Sequence, residues 1–425
     1  MQEKATIKGQ VQVNEAVSEM SPLVVPLVMI ASILVFSNMY STQPVLPVIG
    51  AEFGLTPSTA GLTVSGLVLA MAASSIFYGL LSDRVGRKPV MVASVFGLSV
   101  PTLLCAIAPT FSLLVIFRVG QGLLIPGFTA ITVTYLQEEM PPARRGMAIG
   151  YYVTATVAGG FTGRLFGGVL TDLAGNWRLS FYCFGLLDLV LAWMLLRYLP
   201  ASRNFQSKIS SSENSETPAS LGNADSPITV VRFKPTTIIN HLKNRQLMGV
   251  YMVGFSVMFC FLGIFTYLPY YLTLPPFNLS TLLISSAYTV YLVGMFSAPF
   301  SARLAERFGR RSIIQGGISL MLSGVLLTLV PALPLVVIGL VILCFGMFAC
   351  QSTSTALVGE SVRGASGRGS AVSLYQMFFY IGGSLGGFVP GLFWQSGGWM
   401  PVVVAELVVL GAGLASITWL YGRPE

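Results

Sequence analysis

The chain has 425 residues, of which 54% are hydrophobic and 9% charged, where a soluble domain carries about 25% charge. With a mean hydropathy of +0.75 it cannot be a water-soluble globular enzyme; it reads as a polytopic membrane protein. The net charge of +8 is then a topology signal, not a nucleic-acid-binding surface.

Helices and closed barrels are the two ways to satisfy a backbone in lipid, and the apolar runs here are continuous where a barrel would alternate. The fold class is therefore an all-α membrane protein. After a polar tail, residues 1–21, spans of about 20 residues are expected at 23–49, 59–81, 90–109, 111–136, 147–171 and 178–198. A polar segment, 201–246, follows, with the stretch SKISSSENSETPAS typical of a flexible linker. Six more spans are expected at 247–272, 281–304, 313–331, 334–358, 370–394 and 400–421. The domains are thus a tail, a bundle at 22–200, the linker and a bundle at 247–425. All Lys and Arg except Arg118, Arg164 and Arg178 fall in the tails or on the side of the even-numbered loops, so both termini are expected in the cytoplasm.

The five cysteines, Cys105, Cys183, Cys260, Cys344 and Cys350, lie inside spans without metal or redox spacing and read as small packing residues. The single histidine, His241, precedes span seven and reads as solvated or interfacial. Proton chemistry within the membrane falls to carboxylates, Asp188 in span six and Glu406 in span twelve. Each is a candidate proton carrier or a structural group, and desolvation favours the neutral form of an unpaired carboxyl.

The halves are a repeat. An offset of 223 residues superposes GLLSDRVGRK, Gly79–Lys88, on ARLAERFGRR, Ala302–Arg311, matching Asp83 with Glu306, Arg84 with Arg307, Gly86 with Gly309 and Arg87 with Arg310. Without a gap it also pairs Tyr152 with Tyr375, Gly159 with Gly382 and Gly163 with Gly386. Two parallel six-span repeats joined by a long linker are how a rocking transporter is built, with its substrate between the halves near mid-membrane.

GLLSDRVGRKPVM resembles the signature loop of the major facilitator superfamily, and RVGQG in span four its second motif. The glycines of span five, Gly150, Gly159, Gly163 and Gly167-Gly168, resemble the antiporter motif of the drug:proton antiporter branch. In TQPVLPVIGAEFGLTP and TGRLFGG the chain resembles the YnfM-like bacterial inner-membrane transporters. It departs from that branch in two places: Arg164 stands at the motif's proline position, and span one has Asn38 and Gln43 but no acid.

The resemblance implies a bacterial inner-membrane transporter, working as a monomer in the lipid bilayer on a small-molecule substrate, without a cofactor and driven by a proton gradient. It implies that Asp83 caps the start of span eleven, near Ser370, and that Glu306 caps span five, near Gly146, when the cytoplasmic side is shut. Arg84, Arg87 and Lys88 would link to acids such as Glu138 and Glu139; Gly86, Arg307, Gly309 and Arg310 complete the gate. The span-five glycines read as a smooth helix interface.

The cavity is expected to hold Asn38, Gln43, Arg118, Gln121, Tyr152, Arg164, Tyr375 and Gln376. Arg164 lies about 10 Å from its span's outer end at 1.5 Å per residue, and Arg118 about as deep. Arg118 is either a coupling or substrate arginine or a buried donor to backbone carbonyls. Arg164 either meets substrate or pairs with an acid such as Asp188. Its repeat partner is Gly387, so packing common to both halves does not call for a charge there. The reading is a proton-linked exporter of a small organic compound. The alternatives are a facilitator or symporter of a metabolite, anionic given the two arginines, or a non-transporting receptor or scaffold. An enzyme is poorly supported: neither HExxH nor a pair of cavity histidines is present.

Overall fold

A computed structural model describes residues 23–200, 235–362 and 365–421. The N-terminal tail and the linker stretch around SKISSSENSETPAS lie outside the described residues. Within them the chain makes twelve long helical segments in the expected order: Val24–Phe53, Pro57–Val85, Arg87–Ala106, Phe111–Glu139, Pro142–Ala174 and Arg178–Tyr198, then Arg245–Thr273, Thr281–Phe308, Arg310–Leu327, Leu333–Ser361, Ala365–Gly397 and Trp399–Trp419. These are spans one to twelve below. Ten are long and apolar enough to cross a membrane by composition alone. The other two are the glycine-rich span five and span nine, which begins with Arg310 and Arg311.

Helix starts follow local chemistry. The side chains of Thr56, Thr110, Asn244 and Ser280 accept from the amide three residues on, at the heads of spans two, four, seven and eight. Spans two and five also carry proline in the first turn, where its missing N–H costs nothing. Gly86 and Gly309, at φ of 97° and 82°, turn the chain from span two into three and from eight into nine; other residues rarely adopt that backbone.

Three spans are broken within the bilayer. Span one stops at Tyr40, turns through the 3-10 segment Gln43–Val45 and resumes at Leu46–Phe53. Span four is broken at Ile125 before Pro126, and span eight passes through the 3-10 segment Tyr288–Val293.

Spans one and five pack backbone to backbone. A Cβ on Gly159, Gly163 or Gly167 would lie 2.5, 2.3 and 2.3 Å from the carbonyl oxygens of Ile33, Ser37 and Ser41, one turn apart. The second half repeats this: a Cβ on Gly382 or Gly386 would lie 2.1 Å from the carbonyl oxygens of Phe255 and Phe259 in span seven. The glycine motif is thus first a seam inside each half. Only Gly168, with Gly160, turns to the other half, against Ser285 and Tyr291 of span eight. Gly150 meets nothing within 4 Å.

The halves meet through spans two and eleven, five and eight, and one and seven. Hydrogen bonds between halves include Gln43 to Thr266, Ser384 to the Ser65 carbonyl and Tyr270 to the Leu46 carbonyl. These lie in the part of the bundle away from the linker, called the far end here. Gln43 and Thr266 stand 223 residues apart, the repeat offset, so their bond marks the pseudo-twofold axis.

Candidate functional site

Arg164 and Arg118 are both fully buried, but in different places. Arg118 lies inside the first half, where span one breaks. Its Nε donates to the Thr63 carbonyl (3.1 Å), Nη1 to the Asn38 carbonyl (2.9 Å) and Gln121 Oε1 (2.6 Å), and Nη2 to the Met39 carbonyl (2.8 Å) and Thr42 Oγ1 (3.2 Å). All five N–H groups are used. Two of the acceptors are the last carbonyls of a helix, which a cation satisfies and whose dipole it complements. Of the two readings of Arg118, the geometry is that of the backbone donor.

The network continues away from the interface. Gln121 donates to Thr102, Thr102 stands against Asn38 Oδ1, and Asn38 Nδ2 lies 3.1 Å from each Asp188 oxygen. Asn38, Gln121 and Arg118, expected in the cavity, are therefore occupied within the first half. Of the two readings of Arg164, the pair with Asp188 is not formed: Asp188 belongs to the Arg118 network, through neutral residues. Thr102 of span three, absent from the expected set, is its junction.

Arg164 sits between the halves. Nε donates to Gln43 Oε1 (2.7 Å) and Nη1 to the Gly160 carbonyl (2.8 Å), while Nη2 meets no acceptor. Among the described residues it makes no ion pair. Its partners are rings. Cζ lies 4.0 Å from the ring centre of Tyr40 in the first half, and 4.7, 5.3, 5.4 and 6.0 Å from those of Tyr291, Tyr288, Phe265 and Phe261 in the second. Burying an arginine at the bilayer centre costs ~2.5–17 kcal/mol depending on method. A desolvated cation–π contact returns about 2 kcal/mol, so the cage offsets part of this and leaves the charge in want of an anion. Sequence reasoning missed all five rings, because an aromatic on a membrane helix looks alike whether it faces lipid or a guanidinium. The one available signal was spacing: Phe261 and Phe265, and Tyr288 and Tyr291, are helical neighbours.

The Gly387 comparison changes meaning in the structure. The contact of spans five and eight maps by the repeat onto that of spans eleven and two, and there Gly387 opposes Ser65 as Arg164 opposes Tyr288; both pairs obey the 223 offset. A Cβ on Gly387 would lie 2.6 Å from Ser65 Oγ. Glycine is required on one face and arginine fills the other, so Gly387 is no precedent for removing Arg164 alone.

The other expected cavity residues do not join the cage. Tyr152 is buried and donates to the Thr129 carbonyl in span four, Tyr375 is buried against Gly254 of span seven, and Gln376 is half-buried. Glu406, in span twelve, is fully buried against spans seven and eleven, with the Cys260 thiol beside its carboxyl and no N–H or O–H donor on either oxygen. A Cβ on Gly263 would lie 1.9 Å from its Oε1, and the Gly386 carbonyl is close by.

At the linker end, Asp83 is exposed and pairs with Arg87 (2.7 Å), not with span eleven. Glu306 is exposed, and among the described residues it pairs with nothing in span five. Among the described residues neither expected gate cap is formed. Arg87 also pairs with Glu138 (3.1 Å), as expected, and Arg310 with Glu360 repeats the arrangement. Among the described residues Arg84, Lys88 and Arg307 form no ion pair, Arg307 lying over Phe308. His241 is more enclosed than a solvated residue: it is buried, with Nε2 3.0 Å from Ser370 Oγ at the start of span eleven. The cysteines are all free thiols.

Residues 28–296 and 275–425 match the Major Facilitator Superfamily. The chain belongs to that superfamily. Similar proteins include the inner membrane transport protein YnfM of Escherichia coli, 32% identical with 92% of this chain and 89% of that one covered. The MFS-type transporter YybF of Bacillus subtilis is 31% identical, covering 91% and 89%. In fold it is similar to a bacterial homolog of the human lysosomal transporter Spinster in its inward-facing, unoccupied conformation, with a TM-score of 0.71, 18% identity and 95% of each chain covered. The protein is a multi-pass membrane transporter of this superfamily.

Proposed function

We propose that the chain is a proton-coupled secondary transporter that exports a small organic compound across a bacterial inner membrane by alternating access. The observation that carries this reading is Arg164: a buried charge with an unused amino group, held where both repeats close on it. Opening the far end must pull Tyr288, Tyr291, Phe261 and Phe265 away from it and break the Gln43–Thr266 bond. Closing the linker end is the complementary movement, and Asp83 and Glu306 are free to engage then. The state described, with the far end closed and neither gate cap formed among the described residues, suits one limb of such a cycle.

Glu406 is the proton site of this proposal. A carrier has to exchange partners, and the oxygens of Asp188 are held by Asn38 whereas Glu406 has beside it only the weak donor of the Cys260 thiol. A buried carboxyl with so weak a donor is inexpensive only as the neutral acid, so water reaching it favours release. Its neighbours, spans seven and eleven, both touch the first half, so rocking can expose it. Symport with an anion is the second reading, favoured by the lack of a carboxylate beside Arg164.

The test is uptake and efflux in proteoliposomes under imposed pH gradients of both signs, across a panel of small organic compounds. Exchange against an inward proton gradient supports export. Accumulation with the proton supports symport, and flux indifferent to both gradients refutes proton coupling.

A further inference from the structure

We propose that the substrate is a small organic monocarboxylate with a flat, apolar body, bound through Nη2 and Nε of Arg164; this rests on the transport reading above and narrows its substrate class. When the halves part around the cage, four of the five rings and Thr266 leave with the second half. Tyr40, Gln43 and the Gly160 carbonyl stay with the arginine. What remains is a guanidinium with one free amino group and one aromatic wall, facing the space between the repeats.

Charge sets the class. Every N–H of Arg118 is engaged elsewhere, so Arg164 is the single cation of the cage. One negative charge is matched there, whereas a doubly charged phosphate ester would carry an uncompensated charge into aromatic surroundings. Shape sets the rest. The planar guanidinium fork fits a carboxylate through two parallel bonds. Nη2 is vacant, and Nε is held by the neutral Gln43 oxygen, which a charged oxygen can replace. Gln43 also donates to Thr266 across the interface, so substrate and closure compete for one side chain. The Tyr40 ring, 4.0 Å from the guanidinium carbon, continues as a wall for a flat body.

The experiment uses the full chain in lipid nanodiscs, with benzoate as probe and benzamide as its uncharged counterpart, each titrated by calorimetry at pH 7.5 alongside melting of the unliganded protein. Wild type is expected to bind benzoate and not benzamide, with Arg164→Lys weakening benzoate by about tenfold, the worth of one charge-assisted bond. Equal binding of the two probes, or unchanged benzoate binding in Arg164→Gln, overturns the proposal. Should Arg164→Gln fail to fold, Tyr40→Leu keeps the charge and removes the wall; benzoate binding as strong as in wild type then overturns it. The two readings fail separately. Gradient-driven flux of a neutral compound that benzoate does not inhibit removes the anion site and leaves transport; benzoate binding in a protein showing no flux of any compound does the reverse.

Discussion

Replacing Arg118 with methionine, close to it in length and without charge, separates the two roles its position allows. The change leaves three backbone carbonyls, Thr42 Oγ1 and Gln121 Oε1 without their donor in a fully buried site. An unsatisfied buried polar group costs about 1–3 kcal/mol. Five would sum to about 5–15 kcal/mol, but Gln121 and Thr42 can turn to other partners and the arginine's own burial cost disappears. A loss of about 3–5 kcal/mol is the resulting expectation, of the size seen when one partner of a buried charge network is removed. In a chain this large that lowers the melting temperature by on the order of 3–6 °C. Arg118→Lys recovers little, because one ammonium with three donors does not span five acceptors. The assay is thermal unfolding of purified protein followed by near-ultraviolet circular dichroism, beside transport in proteoliposomes. Unchanged melting with transport abolished would refute the reasoning and make Arg118 a coupling residue.

Gly163→Val places a side chain against the span-one backbone and is expected to cost 3 kcal/mol or more, at the upper end of about 1–3 for overpacking, whereas Gly150→Ala leaves melting within a degree or two; equal effects would dissolve the seam. Asp83→Asn removes an exposed pair worth about 0–1 kcal/mol, so stability holds while transport slows; spin-label distances across the linker end that match wild type in every substrate condition would refute the gating role. Glu406→Gln is expected to remove the pH dependence of flux with little change in melting, and Asp188→Asn to retain it; the reverse pattern moves the proton site into the Arg118 network. Arg164→Gly is expected to lower melting, and Tyr288→Ser added to it to restore part of the loss by copying the Gly387–Ser65 contact; a double variant less stable than either single one would contradict the matched-pair reading.

What could be read from the chain was what repeats or what is dear. Twelve spans and the 223-residue offset follow from hydropathy and identity, and the Arg87–Glu138 pair is one of those that the family resemblance left open. The cost of Arg164 in lipid marked it before any neighbour was known. Partners were harder, since choosing between Asp188 and five aromatic rings depends on which face of spans one, five and seven turns inward. Helical periodicity does not separate a face toward lipid from one toward protein when both are apolar. Span one hid its most consequential feature for a related reason. Pro44 and Pro47 mark a break, but that Arg118 would cap it follows only once span four lies alongside. The glycine motif, read as one interface, divides by helical phase: Gly159, Gly163 and Gly167 look to span one, Gly168 to span eight.

The two repeats close the far end by unlike means at equivalent positions, and the difference bears on what the closed state costs. Spans two and eleven approach until backbone meets backbone: a Cβ on Gly61 would lie 2.3 Å from the Gly387 carbonyl oxygen, and Tyr267 donates to that carbonyl (2.8 Å). Nothing there is charged, and parting costs mainly dispersion and hydrogen bonds that lipid or water can partly replace. Spans five and eight meet through a guanidinium in rings, a contact whose worth depends on water being absent. Once water enters on opening, the charge is solvated and the reason for closing again weakens, unless an anion arrives that restores a neutral, dry filling. A symmetric pair of glycine seams would close empty or full alike. One seam and one cage make closure depend on what occupies the cage, which is what a transporter has to arrange if its gradient is not to drain through empty cycles.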